Sequence, residues 1–340
     1  DLHMGGDWLP FLAELGFLVL MFQAGMELNF TLMKGQGPRK LSFHAAFFLA
    51  TVAVAFVASW MLGQDVFLAL VLTTTSLGLV MPVLREYGDT SSDFGQTVLV
   101  AATLADFLTL LGITFYVLWR QGGPAWHYVL PVALFVGFGV ALWALRLWVW
   151  WHPERARGLL LGESSQEQGV RLSLALLFLF VALSELAHLE PVLGAFMGGA
   201  ILSFMLRAKQ PLESKIAVIG FGFLIPIFFI HVGMGFDIAN VLTPDRLAFT
   251  GLLLLAALAA KLVPALLFPV WGMKLSDGLR AGTLLSARLS LIIAAASIGL
   301  KEGFLSVEAK DSIVLLALVS CFLGPVGFQW LSRRRRSPEV

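Results

Sequence analysis

Leu72-Thr73-Thr74-Thr75-Ser76-Leu77-Gly78, followed by Pro82, lies inside an apolar run from Val66 to Leu84. A run of about 20 apolar residues is what it takes to cross the roughly 30 Å hydrocarbon core of a bilayer. The centre of this one is built from residues that weaken a regular helix: four consecutive hydroxyl side chains, a glycine and a proline. The expected outcome is an interrupted helix. Non-helical backbone at membrane depth survives only where it is buried in protein or lines a cavity, and there its freed carbonyls and half-helix ends can hold ions.

Working outward, about ten further apolar runs of spanning length accompany this one, making about eleven between Trp8 and Leu331. The composition agrees: 58% of the 340 residues are hydrophobic and 13% charged, and the mean hydropathy of +0.86 excludes water as the main solvent. The expected fold is an all-α polytopic membrane protein. Near the other end of the chain, Ser286-Ala287-Arg288-Leu289-Ser290 forms a second polar interruption. The two interrupted spans are seven apart in order, an odd offset that reverses orientation, as an inverted repeat requires. Residues 41–120 are read as the first core repeat and 246–332 as the second, within one transmembrane domain covering 1–340. Since the chain opens on Asp1 at what reads as a loop, at least one helix is expected to precede it.

Positive charge orients the bundle. If Arg333 to Arg336 are cytoplasmic, alternation of the spans puts most other Lys and Arg between spans there too, among them Lys34, Arg39, Lys40, Arg85 and Arg280, and leaves Arg120, Arg246, Lys301 and Lys310 outside. The C-terminus is therefore read as cytoplasmic. A single cysteine, Cys321, gives no disulfide or thiol cluster, and the six histidines are scattered without metal-ligand spacing. No basic face with interleaved aromatics suggests nucleic acid, and no nucleophile–base arrangement or P-loop suggests an enzyme. No cofactor is implied.

Lys261 and Arg288 remain deep within apolar spans, where a charge costs at least about 2.5–3.5 kcal/mol on insertion scales. Asp106, mid-way along another span, is the carboxylate of opposite sign. Such groups either line a pathway or lock helices together as an ion pair; Arg288 could also satisfy backbone carbonyls in a broken helix. Thr103 and Thr109 share the face of Asp106 at i−3 and i+3. A carboxylate with hydroxyls around it suits a dehydrated monovalent cation, which takes oxygen ligands; the threonines could equally bond back to carbonyls of their own helix.

The segment Glu14-Leu15-Gly16-Phe17-Leu18-Val19-Leu20-Met21-Phe22-Gln23-Ala24-Gly25-Met26-Glu27-Leu28 resembles the early helix of Kef-type and related monovalent cation/proton antiporters. So do Thr73-Thr74-Thr75-Ser76 with Pro82-Val83-Leu84-Arg85-Glu86, Gly95-Gln96-Thr97 leading to Ala105-Asp106, Pro191 to Gly199, Pro226-Ile227-Phe228-Phe229 with Val232-Gly233-Met234, and Lys261. The resemblance covers nearly the whole chain. It implies a homodimer in the bacterial inner membrane, in which a core of two crossed, broken helices moves against a dimerisation scaffold, with a regulatory soluble domain or subunit often attached. Carried onto these positions, Asp106 would bind the cation or the proton, Thr73 and Thr75 would lie at the helix crossing, and Lys261 would pair with or titrate against the acidic site.

Two departures bear on the ion chemistry. Ala105 stands where relatives have Asp, Asn or Gln, and Leu289-Ser290 where many carry Gly and Glu. The expected function is exchange of potassium or sodium for protons by alternating access at one aspartate. A cation channel, or a regulatory scaffold without transport, would reuse the same fold.

Overall fold

A computed structural model of the chain describes residues 8–27, 37–122 apart from 88 and 91, 168–236 apart from 188 and 206–209, and 243–336, with isolated helical positions between 136 and 151. The expected span from Trp126 to Trp151 lies almost wholly outside the described residues. Among those described, helix is the only regular structure. In chain order these are α1 (Trp8–Glu27), α2 (Pro38–Met61), α3 (Val66–Thr73), α4 (Leu77–Glu86), α5 (Asp93–Gln121), α6 (Gln168–Leu186), α7 (Pro191–Met205) and α8 (Gln210–Ile219). A π-helical turn (Gly220–Leu224) leads into α9 (Ile225–Met234), followed by α10 (Pro244–Ala265), α11 (Leu275–Leu285), α12 (Ser290–Lys301) and α13 (Val307–Arg336).

Among the described residues eight segments are long and apolar enough to span a bilayer, with α3 and α4 counted together. The bent pair α11 and α12 makes a ninth, and α7 is a shorter apolar helix. This is the architecture of an all-α polytopic membrane protein. The chain divides into two compact units: residues 1–30 with 117–235, and residues 31–116 with 236–340. Both interrupted helices fall in the second.

The first unit is organised by glycine. α7 packs between α1 and α6, and a Cβ placed on Gly199 would stand 1.9 Å from the Phe22 carbonyl oxygen, on Gly25 2.1 Å from that of Phe196, and on Gly194 2.2 Å from that of Phe180. No side chain fits at these distances. In hydrocarbon, where apolar contact with lipid competes with contact between helices, such close backbone approach is what makes association favourable.

In the second unit the helix stops at Thr73 and resumes at Leu77, with Thr74 (ψ 155°) and Ser76 (φ −135°, ψ 101°) extended. The break lies at the hydroxyl run, not at Pro82, which sits inside α4 without ending it. Leu289 (φ −147°, ψ −72°) precedes α12, and α11 and α12 meet at a 50° bend. Phe268, just after α10, packs edge-on against both Phe43 and Phe47 of α2 within an apolar cluster that also takes in Leu84, Leu284 and Phe328.

Replacing Gly199 by leucine should destabilise the protein by about 1–3 kcal/mol, the usual cost of overpacking, since the obstacle is backbone and cannot rotate away. The midpoint of thermal unfolding in detergent measures it, and Gly222→Ala, at a position with open space around the missing Cβ, should cost far less.

Candidate functional site

In an unbroken helix the carbonyl of Thr73 would accept from the amide of Leu77, and that of Thr74 from the amide of Gly78. The break removes both bonds. At this depth no bulk water replaces them, and each unsatisfied backbone group costs several kcal/mol. Three charged side chains from other helices take up the freed groups. Lys261 on α10 donates from Nζ to Thr73 O at 2.7 Å. Arg288, between α11 and α12, donates from Nε to Thr74 O at 3.0 Å. The amide of Leu77, the first residue of α4, donates to Asp106 Oδ2 on α5 at 3.3 Å.

Arg288 also donates from Nη2 to Ala257 O on α10 at 2.9 Å, and its own carbonyl accepts from Ser320 Oγ on α13 at 3.4 Å. The two interruptions are thus hydrogen-bonded to each other through a guanidinium, and both are tied to α10. Of the roles open to Arg288, this geometry is that of a carbonyl partner. Lys261 and Asp106 form no ion pair within 4.0 Å; each contacts the break instead.

The hydroxyl run is buried throughout: Thr73, Thr74 and Thr75 are at 0% exposure and Ser76 at 3%. Thr73 Oγ1 lies 3.0 Å from Thr109 Oγ1 on α5 and donates to Leu70 O at 2.7 Å, while Thr74 Oγ1 donates to Val71 O. Thr75 Oγ1 has no partner, and neither does Asp106 Oδ1. Thr103 is buried one turn before Asp106 on α5. Asp106, Thr73, Thr75, Lys261 and Arg288 therefore gather at one broken-helix centre inside the second unit.

Reading the sequence alone missed Leu77, Ala257 and Ser320. The first two act through backbone atoms and leave no side-chain signal. Ser320 is a lone serine in an apolar helix, indistinguishable there from one bonding to its own backbone, which it also does through Ala317 O.

A buried carboxylate with one free oxygen, an unpartnered hydroxyl and two cations bonded to the ends of a broken helix define a polytopic membrane protein with an ionisable centre inside its helical core. The sequence profile of the sodium/hydrogen exchanger transmembrane family matches residues 2–334, and the chain belongs to that family. It is 32% identical over 356 aligned positions to YjbQ of Bacillus subtilis (strain 168), provisionally named a Na(+)/H(+) antiporter; the match takes in 98% of this chain and 56% of that protein. It is 24% identical to the high-affinity Na(+)/H(+) antiporter NhaS3 of Synechocystis sp., over 96% of this chain and 73% of that one. Against the Na(+)/H(+)-K(+) antiporter GerN of Bacillus cereus the identity is 24%, over 94% of this chain and 82% of the other.

Arg288→Ala should lower stability by about 3 kcal/mol, because it strips buried carbonyls of their charged donor. Arg288→Lys should recover only part, since an ammonium keeps the charge but lacks the fork that reaches Thr74 and Ala257 together. Thermal unfolding of the two purified variants in detergent compares them.

Proposed function

We propose that this chain exchanges a monovalent cation, sodium or potassium, for protons by alternating access at Asp106. The observation that carries the reading is the unpartnered, buried Oδ1 of Asp106 beside the break. Membership of the exchanger family and the names of its relatives support it.

A bare carboxylate in a closed, low-dielectric cavity is strongly disfavoured. Either a proton or a cation removes that penalty, so either loaded form passes through the occluded state while the empty anion is held back. Competition of the two ions for one group makes the exchange obligatory. Asp106 Oδ2 is held by the Leu77 amide, which leaves Oδ1 and the Thr75 hydroxyl as the oxygens available to a dehydrated cation, with Thr73 and Thr103 close along the chain or helix. Lys261 and Arg288 supply positive charge at the same centre and hold the half-helices open. In this reading the protein works as a homodimer, with residues 1–30 and 117–235 as the scaffold and the broken helices crossing in the moving core.

Asp106→Asn keeps the size of the side chain but removes its charge and its capacity to be neutralised by an ion. Reconstituted into liposomes, this variant should fold yet show no proton-coupled flux of sodium, potassium or lithium, each tested separately. Undiminished exchange would remove Asp106 from the mechanism, and an ohmic current in the wild type would make the protein a channel.

A second expectation concerns stoichiometry. With Ala105 in place of a second polar residue, one carboxylate exchanges one cation for one proton and no net charge crosses. An imposed potential, worth about 2.3 kcal/mol per charge per 100 mV, should leave the exchange rate in proteoliposomes nearly unchanged. Strong acceleration by the potential would mean that another group, Lys261 foremost, carries a second proton in each cycle.

A further inference from the structure

Asp311 is a carboxylate that the centre at Asp106 does not use. It lies in the second turn of α13 at 1% exposure, and its Oδ1 is buried without a hydrogen bond. The nearest cation is its sequence neighbour Lys310, whose Nζ lies 3.0 Å from Oδ1 but outside hydrogen-bond alignment. Adjacent residues on a helix do not face each other, so Lys310 neutralises Asp311 without satisfying it.

Two contacts set the register of α13 against α10. At the helix mouths Arg246 Nη2 lies 3.7 Å from Glu308 Oε1. Deeper in, Arg288 holds Ala257 O on α10 and accepts from Ser320 on α13. From Arg246 to Ala257 is 11 residues and from Glu308 to Ser320 is 12, so the helices run parallel and in step. Thr250 and Asp311 with Ser312 fall at corresponding levels between these ties. Thr250 Oγ1 is likewise buried without a partner, and Ser312 is buried beside them in sequence. Polar groups therefore stand at the Arg246–Glu308 pair, at this level, and again seven residues further along α10 at Ala257, where Arg288 bonds; the guanidinium of Arg288 also touches the break at Thr74.

We propose that Asp311 is a second proton-binding carboxylate, placed on the route between the membrane face that carries Arg246 and Glu308 and the broken-helix centre. The inference rests on the exchange proposed above and adds a group to its proton path. The step is proton binding alone: a hydronium ion at that face gives up a proton and becomes water, an O–H bond forms on Asp311, and Lys310 loses its anionic neighbour. The other charged groups at this end of the elements packed on α13 are Asp245 and Arg246 of α10 and Lys301 with Glu302 at the end of α12. Those of α4 and α11, namely Arg85, Glu86, Asp277 and Arg280, lie at or toward the opposite end.

A relay on one face has a signature that structural damage lacks. With the full chain in right-side-out and in everted vesicles, the pH is varied on one face at a time while cation-driven proton exchange is followed. Asp311→Asn should change, several-fold at the extremes, how the rate depends on pH at the Arg246–Glu308 face and leave the dependence on pH at the other face as it was; Asp311→Glu should restore it. Equal scaling of both profiles, or no change in either, would overturn the proposal. A second measurement does not need transport: in infrared difference spectra of the purified protein between low and high pH, Asp311→Asn should remove one protonated-carboxyl band that Asp106→Asn retains. If the wild type exchanges nothing, the exchange reading fails and this band alone decides whether Asp311 binds a proton; its absence would sink the site.

Discussion

Everything in the second unit depends on one constraint, that the carbonyls of Thr73 and Thr74 cannot be left without donors inside a membrane. Four hydroxyl residues in a row break the helix, and the amides that would have closed on those carbonyls turn elsewhere. The replacements must reach from other helices, and for a donor that must cross that distance a long cationic side chain is well suited. Lys261 and Arg288 are such donors, reaching Thr73 O and Thr74 O at 2.7 and 3.0 Å. Hydrogen bonds from charged donors are also stronger than neutral ones, which offsets part of the cost of burying the charge. The same exchange of partners frees the Leu77 amide for Asp106, so the break creates both the need for two cations and a seat for one anion.

Once those bonds are made, the surrounding helices lose freedom of register. α10 contributes Lys261 and the Ala257 carbonyl four residues apart, on one face. Arg288 joins α10 to the second interruption, and Ser320 ties α13 to the same residue. Midway along α11, Arg280 donates to Asp89 in the turn after α4 at 3.1 Å and to Ser332 on α13 at 3.0 Å, with its guanidinium carbon 4.6 Å from the Phe94 ring centroid. Each broken helix is thus anchored at its break and beyond it. The first unit reaches close packing by a different route, through glycines that let backbones touch, and among its described residues no charged side chain is buried.

What could be read from the sequence followed from how costly each feature is in lipid. Asp106, Lys261 and Arg288 stand out because ionisable groups are rare in apolar spans, and the threonine run stands out because it contradicts the helix around it. The all-α fold follows from the same logic, since a lipid-embedded chain of this hydropathy satisfies its backbone by helix. Partners that act through main-chain atoms carry no such mark: nothing in Ala257 or Leu77 announces an acceptor or donor. The π-turn at Gly220–Leu224 and the approach of Gly199 to Phe22 O are equally silent, because glycine in an apolar helix is common whether or not a neighbour presses on it. Asp311 was hidden by its place near the start of a span, where a charge ordinarily reaches water.

The charges at the centre do not balance, and the geometry says where the excess resides. With Asp106 ionised, two cations face one anion, and loading Asp106 with a proton or a cation removes the anion's share. Arg288 is fixed by two carbonyls on two helices, so its charge is matched by oriented dipoles and serves the architecture in every state that keeps the break. Lys261 makes one hydrogen bond, to Thr73 O, and has no carboxylate within 4.0 Å. Arg288 makes two such bonds and keeps Nη1 without a partner, but an ammonium, unlike a guanidinium, can give up its proton at accessible cost. If a second group changes charge during the proposed exchange, the bonding at the break singles out Lys261, because losing the Arg288 charge would release both interruptions at once.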